Sequence, residues 1–353
     1  MSLRPRSAIL VLLALVSVGA VLALILLAAG YSPRSASAAL WGGSLGSWYS
    51  ITSATLVRAV PLMLTGCAVA VAFRGGVFNV GAEGQLLVGA AAAAAVALRL
   101  PHAGTFAIGA ALIAGAVAGC AWAAIAATLR ARFGVLEVIS TIMLNFVALH
   151  GVSYLVRGPL QEPTRIYPQS SSIADALQLP RIAGAGRLHV GLMIALAILV
   201  GCGWIFRFTA RGFRLRSVGE SPSAAAVAGL IDVRSTTRWA FLSSGALAGL
   251  AGAIEVLGVT YALYDNISPG YGYTAIAVAL LANLDPWKII GSATLFAALE
   301  AGASAMQRDA NVPSSFVSIV EALLILAVIG AETVRRRSRE DSYFDADGAA
   351  AAQ

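Results

Sequence analysis

The chain has 353 residues, of which 59% are hydrophobic and only 12% charged, a balance that excludes an ordinary water-soluble domain. Its net charge of +7 comes from arginines at the ends of apolar runs, not from one basic face, so membrane topology explains it and nucleic acid is not an expected partner. The three cysteines, Cys67, Cys120 and Cys202, each stand alone in an apolar run without C-x-x-C or Cys/His spacing. Neither a metal site nor a disulfide framework is expected from them.

A bilayer core of roughly 30 Å needs about 20 consecutive apolar residues per helix. In chain order, spans are expected near 8–29, 51–72, 78–98, 105–128, 135–156, 188–206, 239–262, 271–284, 288–306 and 316–334. The fold class is therefore all-α and polytopic, with ten transmembrane helices, the eighth having the weakest signal. The first run is too long for a signal-peptide core of roughly 7–15 residues and is read as an uncleaved span. With the N-terminus inside, 16 of the 24 Lys and Arg residues fall on inner segments. That bias obeys the positive-inside rule and makes both termini cytoplasmic.

A transmembrane domain over 1–334 follows, with an external loop at 157–187, a cytoplasmic segment at 207–238, and a tail at 335–353 that reads as disordered because it has little apolar surface to bury. Small residues spaced for close helix packing stand at Gly115-x-x-x-Gly119 and Gly245-x-x-x-Gly249.

Residues 73–90, FRGGVFNVGAEGQLLVGA, place Asn79, Glu83 and Gln85 among five glycines where a membrane helix begins. A broken helix is tolerated at membrane depth where it lines a cavity or is buried in protein. Asn79 and Glu83, four apart, share a helix face. With Asn145 in the fifth span they are candidates for the translocation path; the competing reading is a helix start held by structural hydrogen bonds. Deeper carboxylates at Glu255 and Glu300 are further candidates, while His150, near a helix end, reads as a packing histidine.

Residues 208–239 carry a second signal. Ser221 can cap a helix, Pro222 fits its first position, Ala224 to Ala228 propagate it and Gly229 can close it. A short helix held outside the membrane suits docking of a cytoplasmic partner. Lys288 is the only lysine and Ile289 follows it, so the chain has no G-x-x-x-x-G-K-[ST] phosphate loop. It shows no catalytic constellation, and ATP and its Mg have to be held by another subunit.

At RGGVFNVGAEGQLLVGA, STIMLNFVALH, GFRLRSVGESPSAAAVAGL, SGALAGLAGA and ISPGYGYTAIAVALLANLDP the chain resembles permease subunits of bacterial ATP-binding-cassette (ABC) importers. Within the branch that handles ribose-like sugars, nucleosides and branched-chain amino acids, it is most similar to the nucleoside and simple-sugar group. The resemblance covers roughly Ser53 to Arg335. It implies a multi-pass inner-membrane subunit working by alternating access, whose segment 212–230, with Gly212, Arg216, Gly219, Glu220, Ala224, Ala225 and Gly229, couples to a cytoplasmic ABC ATPase. It also implies an extracytoplasmic substrate-binding lipoprotein and a second, different permease, giving a heterodimer. One departure is Leu281-Ala282-Asn283, where relatives commonly carry glycine in the middle. The alternative reading is an ion-coupled secondary transporter using Glu83, Glu255 or Glu300.

Overall fold

The computed structural model describes residues 19–313 except 103, 183, 185 and 228–230, together with 315, 316, 319 and 322. The described helices are α1 (Gly19–Ala28), α2 (Pro33–Ser44), α3 (Ser50–Arg74, its first turn π-helical), α4 (Ala82–Arg99), α5 (Gly104–Phe133), α6 (Glu137–Arg157) and α7 (Gly191–Phe208). They continue with α8 (Ala210–Glu220), α9 (Pro222–Val227), α10 (Val233–Thr260, ending in a π turn), α11 (Tyr271–Leu281) and α12 (Pro286–Asp309). Among the described residues there are three isolated β-bridges and no strand.

Seven of these helices, α3 to α7, α10 and α12, are long and apolar enough to cross a membrane. The span expected at 271–284 is an 11-residue helix, too short at 1.5 Å per residue to cross by itself. The helix expected from 78 begins at Ala82, because the preceding residues form a turn. Half of the expected first span, most of the last, and the tail at 335–353 lie outside the described residues.

The chain divides into two compact units, 48–298 and a second that joins 1–47 to 299–353. In the second unit, Leu26, Ala36, Met306 and Val312 form a small buried cluster with Tyr31 and Phe316 against it. Ser32 caps α2 by accepting from the Ser35 N–H at 3.4 Å.

The larger unit is built on α4, α5 and α10, which pack most extensively with one another. The two small-residue motifs meet there. A Cβ on Gly249 would fall on the Gly115 carbonyl oxygen, one on Gly119 or Gly89 on the backbone of Gly245 or Gly249, and one on Gly252 on the Leu86 carbonyl. Lipid supplies no hydrophobic force between helices, so this backbone-to-backbone approach provides the dispersion contact that holds them.

The two ends of this unit differ. At one, the loop 158–190 lies over the start of α3 and the end of α10: Ser170 N–H donates to the Leu263 carbonyl (2.9 Å), Ile173 N–H to Tyr261 (2.8 Å) and Arg187 N–H to Ser53 Oγ (3.1 Å). Its own Ile173, Leu177, Leu179 and Leu188 are buried. The expected external loop is thus ordered, with a single 3₁₀ turn at Asp175–Leu177. At the other end lie Arg74, α8, α9 and the turn between α11 and α12. Asp265 pairs with Arg157 at the loop end, whereas Asn283 and Leu284 are bound by Arg74 at the opposite end. The segment 265–283 therefore passes from one end to the other with only its second half helical.

Replacing Gly249 with leucine is expected to lower the melting temperature of the detergent-solubilised protein by several degrees or to prevent assembly, since overpacking costs about 1–3 kcal/mol. Gly109→Ala, where a Cβ meets nothing within 4 Å, is the control and should leave the melting temperature unchanged.

Candidate functional site at the broken helices

Leaving α3, the chain passes Gly75 and Gly76, the latter at φ +71°, and stays non-helical to Gly81 while buried at Val77, Asn79 and Gly81. Its backbone polar groups cannot be left bare at this depth. Asn79 Oδ1 accepts from the Gly81 N–H (2.9 Å) and from Gln85 Nε2 (3.1 Å), and Asn79 Nδ2 donates to Gln85 Oε1 (3.0 Å) and Ser244 Oγ (2.9 Å). All four hydrogen-bonding positions of the Asn79 amide are filled, and the reciprocal pair with Gln85 folds the turn onto the first turn of α4.

Asn145, on α6, does the same from the other side. Its Oδ1 accepts from the Gly84 N–H (2.8 Å), and its Nδ2 donates to the Val80 carbonyl (3.0 Å) and to the Tyr273 hydroxyl (3.3 Å). Glu83 Oε2 accepts from the Gly272 N–H (2.7 Å), so a carboxylate in the first turn of α4 also occupies the N-terminus of α11. Negative charge is favoured at both helix starts. Ser268 Oγ accepts the Gly270 and Tyr271 N–H groups (3.1 Å each). Gly272 has to be glycine here, because a Cβ would meet the backbone of Glu83.

The four candidates read from the sequence thus come together in one buried cluster. Ser244, Ser268, Gly272 and Tyr273 complete it, and sequence reasoning missed them as partners. The PGYGY run around Tyr273 is the signal that could have found them.

The candidate carboxylates elsewhere behave differently. Glu137 pairs with Arg130 at 2.8 Å, Glu255 is buried on α10, and Glu300 belongs to the other unit. His150 is exposed on α6, not packed as expected. Cys67, buried on α3, and Cys202, on α7, are free thiols that lie against each other. Among the described residues no group of three or more metal-ligating side chains gathers.

The predicted helix outside the membrane is present. Ser221 Oγ accepts from the Ala224 N–H at 3.3 Å and Pro222 opens α9. Ala225 is buried, whereas Val227 is 89% exposed; Gly229 lies outside the described residues. Before it, Thr209 caps α8 through the Gly212 N–H at 3.2 Å.

Two glycines seat α8: a Cβ on Gly212 would strike the backbone of α7, and one on Gly219 the Arg74 carbonyl. Arg216 is half-buried and Glu220 exposed. Arg74 Nη2 in turn donates to the Asn283 carbonyl (3.0 Å) and its Nε to Leu284 (3.3 Å), while Arg207 reaches Asp285 (3.3 Å) and lies over the Trp287 ring. Ala282 has φ −76°, an ordinary helical value, so the absence of glycine there carries no strain. The left-handed positions are Asn283 (φ 53°) and Leu284 (φ 55°).

At the loop end, the Arg157 hydrogen bond holds the Asp265 carboxyl below its usual range. His189, two residues ahead of α7, is fully buried against Gly191 and Gly258. Its Nδ1 accepts from the Gly191 N–H at 3.2 Å and its Nε2 has no hydrogen-bond partner among the described residues. Burial, and secondarily Arg187, lower its pKa from 6.5 to about 4.

Two predictions follow from these environments. Asn145→Ala leaves the buried Gly84 N–H without its acceptor and removes the donor to the Val80 carbonyl and the Tyr273 hydroxyl, and is expected to destabilise the protein by about 1–3 kcal/mol, read as a fall in melting temperature. Because the folded form of His189 takes up its proton later than the unfolded form, stability is lost as pH falls from 6.5 to about 4 and is constant with respect to this group above that window. A melting-temperature profile across those pH values should flatten in His189→Gln.

A family model described as "Branched-chain amino acid transport system / permease component" matches residues 51–329. The chain is similar to the guanosine ABC transporter permease protein NupP of Bacillus subtilis, at 40% identity over 317 residues, covering 89% of this chain and 90% of that protein. It is 36% identical to the glucose ABC transporter permease protein TsgB13 of Haloferax volcanii, over 96% of this chain and 93% of that one. A second guanosine ABC transporter permease of Bacillus subtilis, NupQ, is 29% identical, over 70% of this chain and 79% of that protein. No solved structure matches.

Proposed function

This chain belongs to the family of permease components of branched-chain amino acid transport systems, and from that membership we propose that it is the transmembrane permease subunit of an ATP-driven importer of nucleosides or simple sugars. It is a multi-pass membrane protein of the inner membrane. The observation that carries the substrate class is the near full-length similarity to permeases named for guanosine and glucose. The ion-coupled reading gains nothing from these relatives, all of which are named as ABC transporter permeases.

In this reading the chain has ten spans with both termini in the cytoplasm. The seven long helices, the half-helix α11 and the basic residues at the Arg74 end support that topology. The chain itself binds no nucleotide. A cytoplasmic ABC ATPase hydrolyses ATP with Mg, and a substrate-binding lipoprotein delivers substrate to the end covered by residues 158–190. The α8–α9 segment, with Gly212, Arg216, Gly219, Glu220, Ala224, Ala225 and Gly229, takes the thrust of the ATPase. Gly219 seats this segment on Arg74, and Arg74 holds the α11–α12 turn, so movement of α8 is passed to α11.

Asn79, Glu83, Gln85 and Asn145 form the wall of the translocation path, holding the two broken helices in place. Bacillus subtilis has two guanosine permeases, of which NupP is the more similar to this chain. That supports pairing with a second, different permease.

Uptake of radiolabelled guanosine and glucose into cells with and without the gene tests this function. Loss of guanosine uptake on deletion, and loss on ATP depletion with the proton gradient intact, is expected; uptake that survives ATP depletion would overturn it. Glu220→Arg combined with bulky residues at Ala224 to Ala226 is expected to reduce uptake at least about tenfold while the protein remains in the membrane.

A further inference from the structure

Resting on the nucleoside reading above, we infer that Tyr273 is the aromatic surface on which the base of a nucleoside stacks midway along the translocation path. The first observation is its depth. Asn145 lies two turns, or about 12 Å, beyond Glu137 along α6, and Tyr273 lies about 15 Å along α11 from the Arg74-bound turn. Two separate helices thus place the ring halfway through a core of roughly 30 Å. Tyrosines of membrane proteins concentrate at the interfaces, where the hydroxyl meets water, and this one sits away from either.

The second observation is its exposure. Tyr273 is 45% exposed, although Gly272 before it and Ala275 after it are buried. The side chain that emerges from the junction of α4, α6 and α11 is a flat ring.

The third is rigidity. The backbone N–H of Gly272 is held by Glu83 Oε2 (2.7 Å) and the Tyr273 hydroxyl accepts from Asn145 Nδ2 (3.3 Å). The backbone just before the ring and the hydroxyl at its far edge are thus held before any ligand arrives, which reduces the ordering a ligand has to bring about. Because the hydroxyl oxygen is the acceptor in that bond, its own proton remains to be donated to a ligand. A fixed aromatic face with one donor at its edge suits a planar base carrying ring acceptors. Stacking of this kind tolerates different bases, since each has a π-face.

The test uses the whole transporter in cells, with radiolabelled guanosine as probe and the amount of assembled complex measured alongside. Tyr273→Phe keeps the ring and is expected to hold KM within about threefold. Tyr273→Leu keeps apolar bulk without a π-face and is expected to raise KM roughly tenfold, the order found when a stacked base loses its aromatic partner, at unchanged complex levels. Tyr273→Ala should do the same; if it fails to assemble, the leucine variant decides. A leucine variant with wild-type KM overturns the inference, as do phenylalanine and leucine variants that are equally impaired, since the lost Asn145 contact would then explain both. If the unmodified transporter takes up no guanosine, the nucleoside reading itself fails and this inference fails with it.

Discussion

A backbone that leaves its helix inside a membrane has to find hydrogen-bond partners within the protein, and much of the larger unit is arranged around meeting that demand at 75–81. The amides of Asn79 and Asn145 do most of it. Each acts as donor and acceptor together, and neither has a charge to be desolvated. Between them they hold the turn, the first residues of α4, and the ring of Tyr273. Glu83 extends the arrangement to α11, where its carboxylate meets a helix start that favours it. An alanine or leucine at any of these positions would make the sequence more apolar and lose the structure that hydropathy cannot describe.

The same junction is tied to the end that carries α8 and α9 through Arg74. Its side chain bonds the two left-handed residues after α11, and its carbonyl lies under Gly219 of α8. Left-handed geometry at Leu284, a branched residue, is unfavourable by roughly 1–2 kcal/mol, and the charged hydrogen bonds of Arg74, at about 1.5–3 kcal/mol each, are large enough to offset it. The arginine that opens the RGGVFNV run thus proves to be the brace of a turn.

Much of the helical organisation was legible from length and apolarity alone, because both are local properties of the chain. Five of the seven long helices begin within three residues of their expected starts. The exceptions are α4 and α10. At α4 the run of small residues looked helical from 78 and the Asn79 turn prevented it, while α10 begins at Val233, capped by Asp232, ahead of the apolar stretch that hydropathy detects. The eighth span, expected at 271–284, is helical only over Tyr271–Leu281, and the non-helical backbone leading into it is held by Ser268 and by the sequence-distant Glu83. Of the site, the polar residues at 79, 83, 85 and 145 stood out by their cost in lipid. Gly272 and Tyr273 did not, since an aromatic or a glycine in an apolar run gives no such signal.

The glycine contacts among α4, α5 and α10 have a mechanical consequence. Where helices meet through side chains, they can slide as rotamers exchange. Where carbonyl meets Cα directly, as at Gly115, Gly119, Gly245, Gly249 and Gly252, no compliant layer lies between them. These three helices form a fixed keel, and the displacement of any working cycle falls to the elements joined to it by hydrogen bonds and arginine braces: α6, α8 and the half-helix α11.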